Sequence, residues 1–226
     1  MVVVDLIAPR IAHIPEPDSW DIGDEAVQWT RDHRMKLDQE QEFVLRSSFG
    51  VGADGRWQTP DIGFNAPRQN GKGEVLLARE LFGLFALGEK YIVHSAHEFK
   101  TAERHFERLE AVIRNNADLL AQVKRAPTNP DRIIGFRYSH GDESVELSDG
   151  RRIEFRTRTK AGMRGFDNVA LLVLDEAMIL SEWAYGSMLP TVRASDAEHG
   201  PQIWHVGSAA HKRGCHQCGV RNTRFR

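Results

Sequence analysis

The chain contains one polar segment whose residue types suit phosphate binding. It runs from Phe64 to Gly73 with the sequence Phe-Asn-Ala-Pro-Arg-Gln-Asn-Gly-Lys-Gly, between a predicted strand and a predicted helix. A phosphate-binding loop requires that setting, because backbone N–H groups and a helix N-terminus then face the phosphates and a lysine ammonium can reach them. The predicted contacts centre on Gly71 and Lys72. The other residues predicted to line the loop are Pro67, Arg68, Gln69, Asn70 and Gly73.

Two positions of this segment depart from the usual pattern. Ala66 stands where a first glycine is usual, and Gly73 stands where a Ser or Thr hydroxyl usually binds Mg²⁺. Taken alone, the segment is equally typical of a polar strand-to-helix turn that happens to contain Gly-Lys. A second motif is needed to decide between these two interpretations.

That second motif is an apolar run, Leu171–Leu174, which ends in the adjacent carboxylates of Asp175 and Glu176. One carboxylate at the end of such a strand suits binding of Mg²⁺, and the other suits activation of a water molecule. We predict Asp175 as the metal ligand and Glu176 as the general base, although two acids in this position can also be a helix N-cap and a solvated neighbour. The loop and the acidic strand together indicate a P-loop ATPase with ATP and Mg²⁺ as cofactors.

The elements that must position these residues alternate along the chain. Apolar spacing predicts helices at 37–49, 74–87 and 99–113, and strands at 62–65, 91–95, 169–174 and 203–206. Between 132 and 158, shorter alternating runs with turn signals predict an inserted β-hairpin or three-stranded meander. The pattern predicts an α/β three-layer sandwich with a mainly parallel central sheet, with the site along the carboxyl edge of that sheet.

The composition predicts a globular protein with one substantial core, because 41% of the 226 residues are hydrophobic and 27% are charged. No stretch suits a membrane span, and the first ten residues lack the pattern of a signal peptide, so we expect a cytoplasmic protein. A net charge of −2 argues against a protein that coats nucleic acid through its global charge. The only two cysteines, Cys215 and Cys218, cannot form a disulfide framework.

The stretch from Leu37 to Ala209 resembles the ATPase domain of tailed-phage large terminase subunits, especially those of actinobacteriophages. In that family the phosphate loop often reads Pro-Arg-Gln-Asn-Gly-Lys with a variable residue after the lysine, as at 67–73. The segment Leu-Asp-Gln-Glu-Gln at 37–41 is similar to the family's adenine-recognition motif. The resemblance therefore implies that Gln39 or Gln41 contacts the base, and it leaves the choice between them open.

The resemblance also implies a coupling motif and two arginine roles. Gly207, Ser208 and Ala209 follow the last predicted strand, where the family has its coupling motif, and Ser208 would sense the γ-phosphate; by themselves they are a tight turn. Arg68 lies in the phosphate loop, where terminases usually keep a basic residue. Arg164, in Gly-Met-Arg-Gly-Phe, resembles the family's trans-acting arginine finger, which would stabilise the charge on the ATP of a neighbouring subunit.

A basic stretch follows the predicted turn at 149–150. From 152 to 160 most basic residues occupy even positions, so one face of a strand would be cationic. The residues of this predicted face are Arg152, Arg156, Arg158 and Lys160. Such a face could follow the phosphates of double-stranded DNA, and it is equally typical of a solvated edge strand that charge protects from aggregation.

The resemblance implies a motor that drives viral DNA into a procapsid. It implies double-stranded DNA, the portal protein and the small terminase subunit as partners, a homo-oligomeric ring, and a location in the host cytoplasm with transient docking on the portal. A helicase-like ATPase and a truncated, non-catalytic terminase fragment remain alternatives. We divide the chain into an extended arm (1–20), a motor domain (21–209) and a tail (210–226) that does not resemble the family.

The tail holds residue types that can bind zinc, at His211, Cys215, His216 and Cys218. Their spacing is cramped, the surrounding sequence is rich in arginine, and there is no second Cys-x-x-Cys pair, so we predict a disordered terminus instead. Nothing after position 209 resembles the nuclease domain that follows the motor in a full terminase, and we expect no nuclease activity from this chain.

Overall fold

A computed structural model describes residues 12–67, 69–139, 142–158 and 167–208. Within these residues the helices are α1 (Asp21–Asp32), α2 (Gln39–Ser47), α3 (Lys72–Phe85), α4 (Phe99–Asn115), α5 (Ala117–Gln122) and α6 (Glu182–Arg193). The strands are β1 (Asp61–Asn65), β2 (Tyr91–Ala96), β3 (Arg125–Ala126), β4 (Asn129–Ile133), β5 (Phe136–Arg137), β6 (Asp142–Glu146), β7 (Arg152–Thr157), β8 (Leu171–Leu174) and β9 (Gln202–Gly207). A single 3-10 turn, Ala177–Ile179, separates β8 from α6.

Seven of these strands form one sheet in the order β1-β9-β8-β2-β7-β6-β5. The first five are parallel to their neighbours, and β6 and β5 continue the sheet in antiparallel fashion. Strands β3 and β4 form a separate two-stranded antiparallel pair. Because five neighbouring strands are parallel, their carboxyl ends lie along one edge of the sheet.

Helices cover both faces of this sheet. Along the central strands, alternate residues point to opposite faces. Ile92, Val173 and Trp204 belong to the larger apolar core, which α1, α2, α3, α4 and α5 also supply. Their neighbours Val93 and Leu172 belong to a second core, which α6 covers. The chain therefore forms the three-layer α/β sandwich with a mainly parallel sheet that the sequence predicts.

Helices α3 and α4 show two different patterns of burial. Every residue of α3 from Val75 to Phe85 is buried, as expected for a helix that lies between a sheet and other helices. Helix α4 is amphipathic, and its buried residues recur at intervals of three or four: Ala102, His105, Phe106, Leu109 and Ile113. None of the described helices is long and apolar enough to cross a membrane.

The predicted helices and strands are present, with ends that differ by a few residues. The predicted meander is present as β5, β6 and β7, which pair antiparallel in chain order. The prediction did not include the parallel pairing of β7 with β2, which joins the meander to the parallel strands. Helix α6 was not predicted, because it contains Pro190, which normally breaks helices. Its start signal was present: the Ser181 side chain accepts a hydrogen bond from the Ala184 N–H at 3.2 Å.

The domain boundaries at 20 and 209 stay predictions. Residues 12–20 contain no helix, and Ser19 forms an isolated antiparallel bridge with Val51. Most of the predicted arm and the whole predicted tail, with its candidate zinc ligands His211, Cys215, His216 and Cys218, lie outside the described residues.

A buried ion pair connects α3 to the end of the connection that follows it. Arg79 donates to Glu89 through Nη1 at 2.9 Å and Nη2 at 2.6 Å, and its Nε donates to Gln202 of β9 at 3.1 Å. Gly83 is required beside this pair, because a Cβ there would lie 2.1 Å from a Glu89 oxygen. Removing one partner of such a pair leaves the other charge buried, without contact with water and without a counter-ion.

We expect Glu89→Gln to lower the free energy of unfolding by about 3 kcal/mol, because Arg79 then stays buried without an opposing charge. The matched control is Asp24→Asn, which removes the carboxylate of the exposed Asp24–Arg46 pair and costs about 1 kcal/mol or less. Urea unfolding followed by circular dichroism measures both. Equal losses in the two variants would contradict the role of the buried pair.

A second buried polar cluster joins three elements of the larger core. The Glu80 carboxylate of α3 lies between His94 of β2, at 2.6 Å from Nδ1, and His105 of α4, at 2.7 Å from Nε2. The two imidazole rings stack with centroids 4.4 Å apart. Burial disfavours the charged carboxylate, yet the two imidazoles lower the pKa of Glu80 to about 2. Burial likewise disfavours the imidazolium, yet Glu80 raises the pKa of His94 above its usual 6.5.

These shifts predict how stability depends on pH. Because the folded-state pKa of His94 is raised, its contribution is complete below pH 6.5 and is lost as the pH rises through that folded pKa. The contribution of Glu80 is present above pH 4.5 and is lost as the pH falls toward 2. His105, Asp175 and Arg158 are the other charged or titratable groups that act on this cluster.

We therefore expect the wild-type free energy of unfolding to decline above pH 6.5 more steeply than that of His94→Gln, which has no proton to lose there. Urea titrations at a series of pH values, with both proteins at the same ionic strength, measure the difference. Parallel curves for the two proteins would show that His94 is not protonated in the folded state.

Candidate functional site

The predicted phosphate loop connects β1 to α3 at the carboxyl edge of the sheet. The N–H of Ala66 donates to the Gly207 carbonyl at 3.2 Å, which holds the start of the loop beside the end of β9. Gln69 and Gly71 both have left-handed backbone conformations, with φ of 64° and 65°. The turn leads directly into α3, whose first N–H groups have no partner within the helix. Such an N-terminus favours an anion.

Lys72 is the first residue of α3, and its side chain folds back over the loop. Its Nζ donates to the carbonyl oxygens of Ala66 and Pro67, at 2.8 and 2.7 Å. It also donates to the Ser208 hydroxyl at 3.1 Å, so the predicted phosphate-binding lysine and the predicted γ-phosphate sensor meet. The ammonium is held where it can exchange these neutral acceptors for phosphate oxygens.

Three other residues of the predicted loop lie at the surface. Pro67, Gln69 and Asn70 are exposed on the loop, where their backbone can face a ligand. At Gly73, a Cβ would lie 2.8 Å from Nη1 of Arg108, which also pairs with Glu74. A Ser or Thr side chain at position 73 would therefore meet the guanidinium of Arg108 from α4. Sequence reasoning missed Arg108, because nothing in its spacing connects it to the loop.

The structure distinguishes the two candidate glutamines. The Gln41 side chain packs against the loop. It lies so close to Gly71 that a Cβ added there would be 2.0 Å from its Nε2. The same side chain accepts from the Asp38 N–H at 2.9 Å, in a capping box that starts α2. Gln39 is exposed at the start of that helix. Of the two, Gln41 is therefore the one beside the predicted phosphate site.

The acidic pair follows β8 at the same edge of the sheet. The N–H of Asp175 donates to the Ser95 carbonyl of β2 at 2.9 Å, which extends the parallel ladder to the acidic turn. One Asp175 carboxylate oxygen accepts from the Glu176 N–H at 2.8 Å. Glu176 has a left-handed backbone with φ of 53°, which costs a non-glycine residue about 1 kcal/mol or more. Its Oε2 is buried and has no hydrogen-bond partner among the described residues.

Arg158 was predicted on a DNA-binding strand face, and the structure places it elsewhere. It follows β7 at the carboxyl edge, where its Nη2 donates to the backbone carbonyls of Asp175 and Glu176. Burial lowers the pKa of the Arg158 guanidinium to about 10, although the negative charges of Asp175 and Glu176 oppose that shift. The group stays charged at neutral pH. The signal that could have found it is its position one residue after a parallel strand.

The rest of the predicted cationic face is partly neutralised. Glu154 lies between the two arginines on that face and pairs with Arg152 at 3.2 Å and Arg156 at 2.8 Å. The Arg152 guanidinium also lies over the Tyr91 ring at 3.9 Å from its centroid. The alternative of a solvated edge strand does not hold, because β7 lies between β2 and β6 inside the sheet. DNA contact through Arg152 and Arg156 stays a prediction.

The acidic turn offers oxygen ligands, which Mg²⁺ prefers. Asp175 presents a second carboxylate oxygen beside the one that accepts from Glu176, so its chemistry fits a hard cation. The one cluster of three metal-ligating side chains among the described residues is Glu80, His94 and His105, and there each carboxylate oxygen already accepts from an imidazole. The remaining predicted site residues, Arg68, Lys160, Arg164 and Ala209, lie outside the described residues.

Comparisons with solved structures identify the fold. The crystal structure of the large terminase of bacteriophage HK97 matches 82% of this chain with a TM-score of 0.59 and 15% sequence identity. The large terminase ATPase domain of Thermus phage P74-26 matches 81% of the chain with a TM-score of 0.55 and 18% identity. The chain spans 37% of the length of the HK97 protein and 70% of the P74-26 domain chain.

No protein-family model matches the sequence, and neither does any curated protein. At these identities the structural similarity establishes the fold alone. The phosphate loop, the acidic turn and the Ser208 turn occupy one edge of a sheet of the same architecture. The chain therefore has the α/β P-loop NTPase fold of phage large terminase ATPase domains.

Proposed function

We propose that this chain binds ATP and hydrolyses it as the motor domain of a phage large terminase. The observation that carries the proposal is the contact of Lys72 Nζ with the Ser208 hydroxyl, at 3.1 Å. That contact joins the start of α3 to the end of β9, and the acidic turn emerges from β8, the strand beside β9. Three segments remote in sequence thus contribute an ammonium, a hydroxyl and two carboxylates to one edge.

The proposed reaction assigns a role to each group. The loop N–H groups and Lys72 bind the β- and γ-phosphates, and Gln41, which lies beside Gly71, is the candidate to contact the base. Asp175 holds Mg²⁺, whose role is to neutralise charge on the phosphates. Glu176 takes a proton from the attacking water as the water oxygen bonds to the γ-phosphorus and the bond to the β,γ-bridging oxygen breaks. The products are ADP and inorganic phosphate.

The motor role rests on the fold and on the resemblance in the motifs. We infer that hydrolysis drives viral double-stranded DNA into a procapsid, with the portal protein and the small terminase subunit as partners and the motor docked on the portal in the host cytoplasm. In a homo-oligomeric ring, Arg164 would act on the ATP of a neighbouring subunit, and Arg68 would act within its own. Both the HK97 and P74-26 neighbours are terminases by name, which supports this inference.

We expect purified protein to hydrolyse ATP in the presence of Mg²⁺ and to lose about a hundredfold or more of that activity in Lys72→Ala and in Glu176→Gln. Glu176→Gln removes the proton acceptor without removing phosphate contacts, so it should still bind ATP. Phosphate release measures turnover, and fluorescence of a labelled ATP analogue measures binding. Lys124→Ala, at a half-exposed pair with Glu146 far from this edge in sequence, is the control that should keep full activity.

Other outcomes would contradict the proposal in distinct ways. Turnover that survives in both variants would show that another site hydrolyses ATP. Tight ATP binding without turnover by the wild-type chain would favour a non-catalytic terminase fragment. Stimulation by forked DNA, and not by procapsids that carry the portal, would favour a helicase-like ATPase.

A further inference from the structure

Arg158 occupies a position that neither the phosphate loop nor the acidic motif accounts for. It is the residue that follows β7, and β7 lies next to β2, two strands away from β8. Its N–H donates to the Ala96 carbonyl at 3.2 Å, so its backbone continues the parallel ladder past the end of β2. The side chain then reaches past β2 to the turn that follows β8.

The contact of Arg158 is with the backbone of the acidic turn. One guanidinium nitrogen, Nη2, donates to the carbonyls of Asp175 and Glu176, the second at 3.3 Å. Those carbonyls belong to the two peptides that flank the Cα of Glu176, which has a left-handed conformation with φ of 53° and ψ of 43°. A non-glycine residue keeps this conformation only when its surroundings hold it there. Two sets of hydrogen bonds act on it: the Asp175 carboxylate accepts from the Glu176 N–H, and Arg158 donates to the two carbonyls.

The charge of Arg158 is also poorly compensated by hydrogen bonds. Its Nε and Nη1 are buried and have no partner among the described residues, and Glu176 Oε2 is buried in the same state. Buried donors without partners are costly, and the negative charges of Asp175 and Glu176 are the favourable interactions that offset the cost. The guanidinium is thus held at the acidic turn by electrostatics and by two carbonyls.

We propose that Arg158 is a positioning residue that acts within its own subunit and fixes the Asp175–Glu176 turn in the conformation that hydrolysis requires. This inference rests on the proposed ATPase function. Arg68 and Arg164 are predicted to stabilise charge on the transferred phosphate, whereas Arg158 contacts the backbone of the acidic turn. Its loss should therefore affect the chemical step more than the binding of nucleotide.

The test compares Arg158→Gln and Arg158→Lys with wild type in the same Mg²⁺-ATPase assay. We expect Arg158→Gln to lower kcat about a hundredfold, the contribution of a well-placed general base, with KM changed less than about threefold. Arg158→Lys keeps the charge and should recover part of the lost activity. Arg114→Gln is the control, because Arg114 is a half-exposed arginine paired with Glu110 on α4.

Two further measurements keep the result clear. Binding of a labelled ATP analogue should be unchanged in Arg158→Gln, and thermal unfolding should show that both variants are folded; if the Gln variant does not fold, the Lys variant carries the test. Wild-type activity comparable to that of Arg158→Gln, or a loss of ATP binding in step with kcat, would overturn the positioning role. An inactive wild type would instead overturn the proposed ATPase function.

Discussion

The parallel alignment of five strands is the constraint on which the candidate site depends. Parallel strands bring their carboxyl ends to one edge of the sheet. In this chain the loops and turns at that edge hold the candidate functional side chains. The phosphate loop leaves β1, Ser208 follows β9, the acidic turn follows β8 and Arg158 follows β7. The inner position of β9, beside both β1 and β8, is what allows Ser208 to reach Lys72 at 3.1 Å.

Helix α3 links this edge to the interior of the protein. Its first residue is Lys72, and two adjacent residues near its middle, Arg79 and Glu80, are both fully buried in ionic networks. Arg79 connects the helix to Glu89 and to Gln202 of β9, and Glu80 connects it to the histidines of β2 and α4. A helix held in this way has little freedom to slide, because buried polar partners must stay in register. The position of the phosphate loop follows from those anchors.

The acidic turn combines strain with electrostatic restraint. Glu176 adopts a left-handed conformation, and its neighbour Asp175 fixes the turn by accepting the Glu176 N–H. Arg158 adds a guanidinium from the end of β7, a strand that is not adjacent to β8, so the turn is held from two directions. His94 lies one residue before Ser95, whose carbonyl anchors Asp175, and the charge of Asp175 acts on His94. The buried cluster in the larger core and the acidic turn at the carboxyl edge of the sheet are thus coupled electrostatically.

The sequence by itself determined the elements and the motifs. Period-2 and helical spacing located β1, β2, β8, β9 and the helices α2, α3 and α4, because each has a face that must be buried. Gly71, Lys72, Asp175 and Glu176 were identified from local chemistry, which is written in consecutive residues. What the tertiary structure decided was every contact between remote segments: Gln41 rather than Gln39 beside the loop, Arg108 at Gly73, and Arg158 at the acidic turn. Local patterns carry no information on strand order, so the sequence predicted the meander of β5, β6 and β7 but not the pairing of β7 with β2. For the same reason Arg158, the residue after β7, was predicted on a cationic strand face. Only the pairing of β7 with β2 sets Arg158 at the sheet edge that holds the acidic turn.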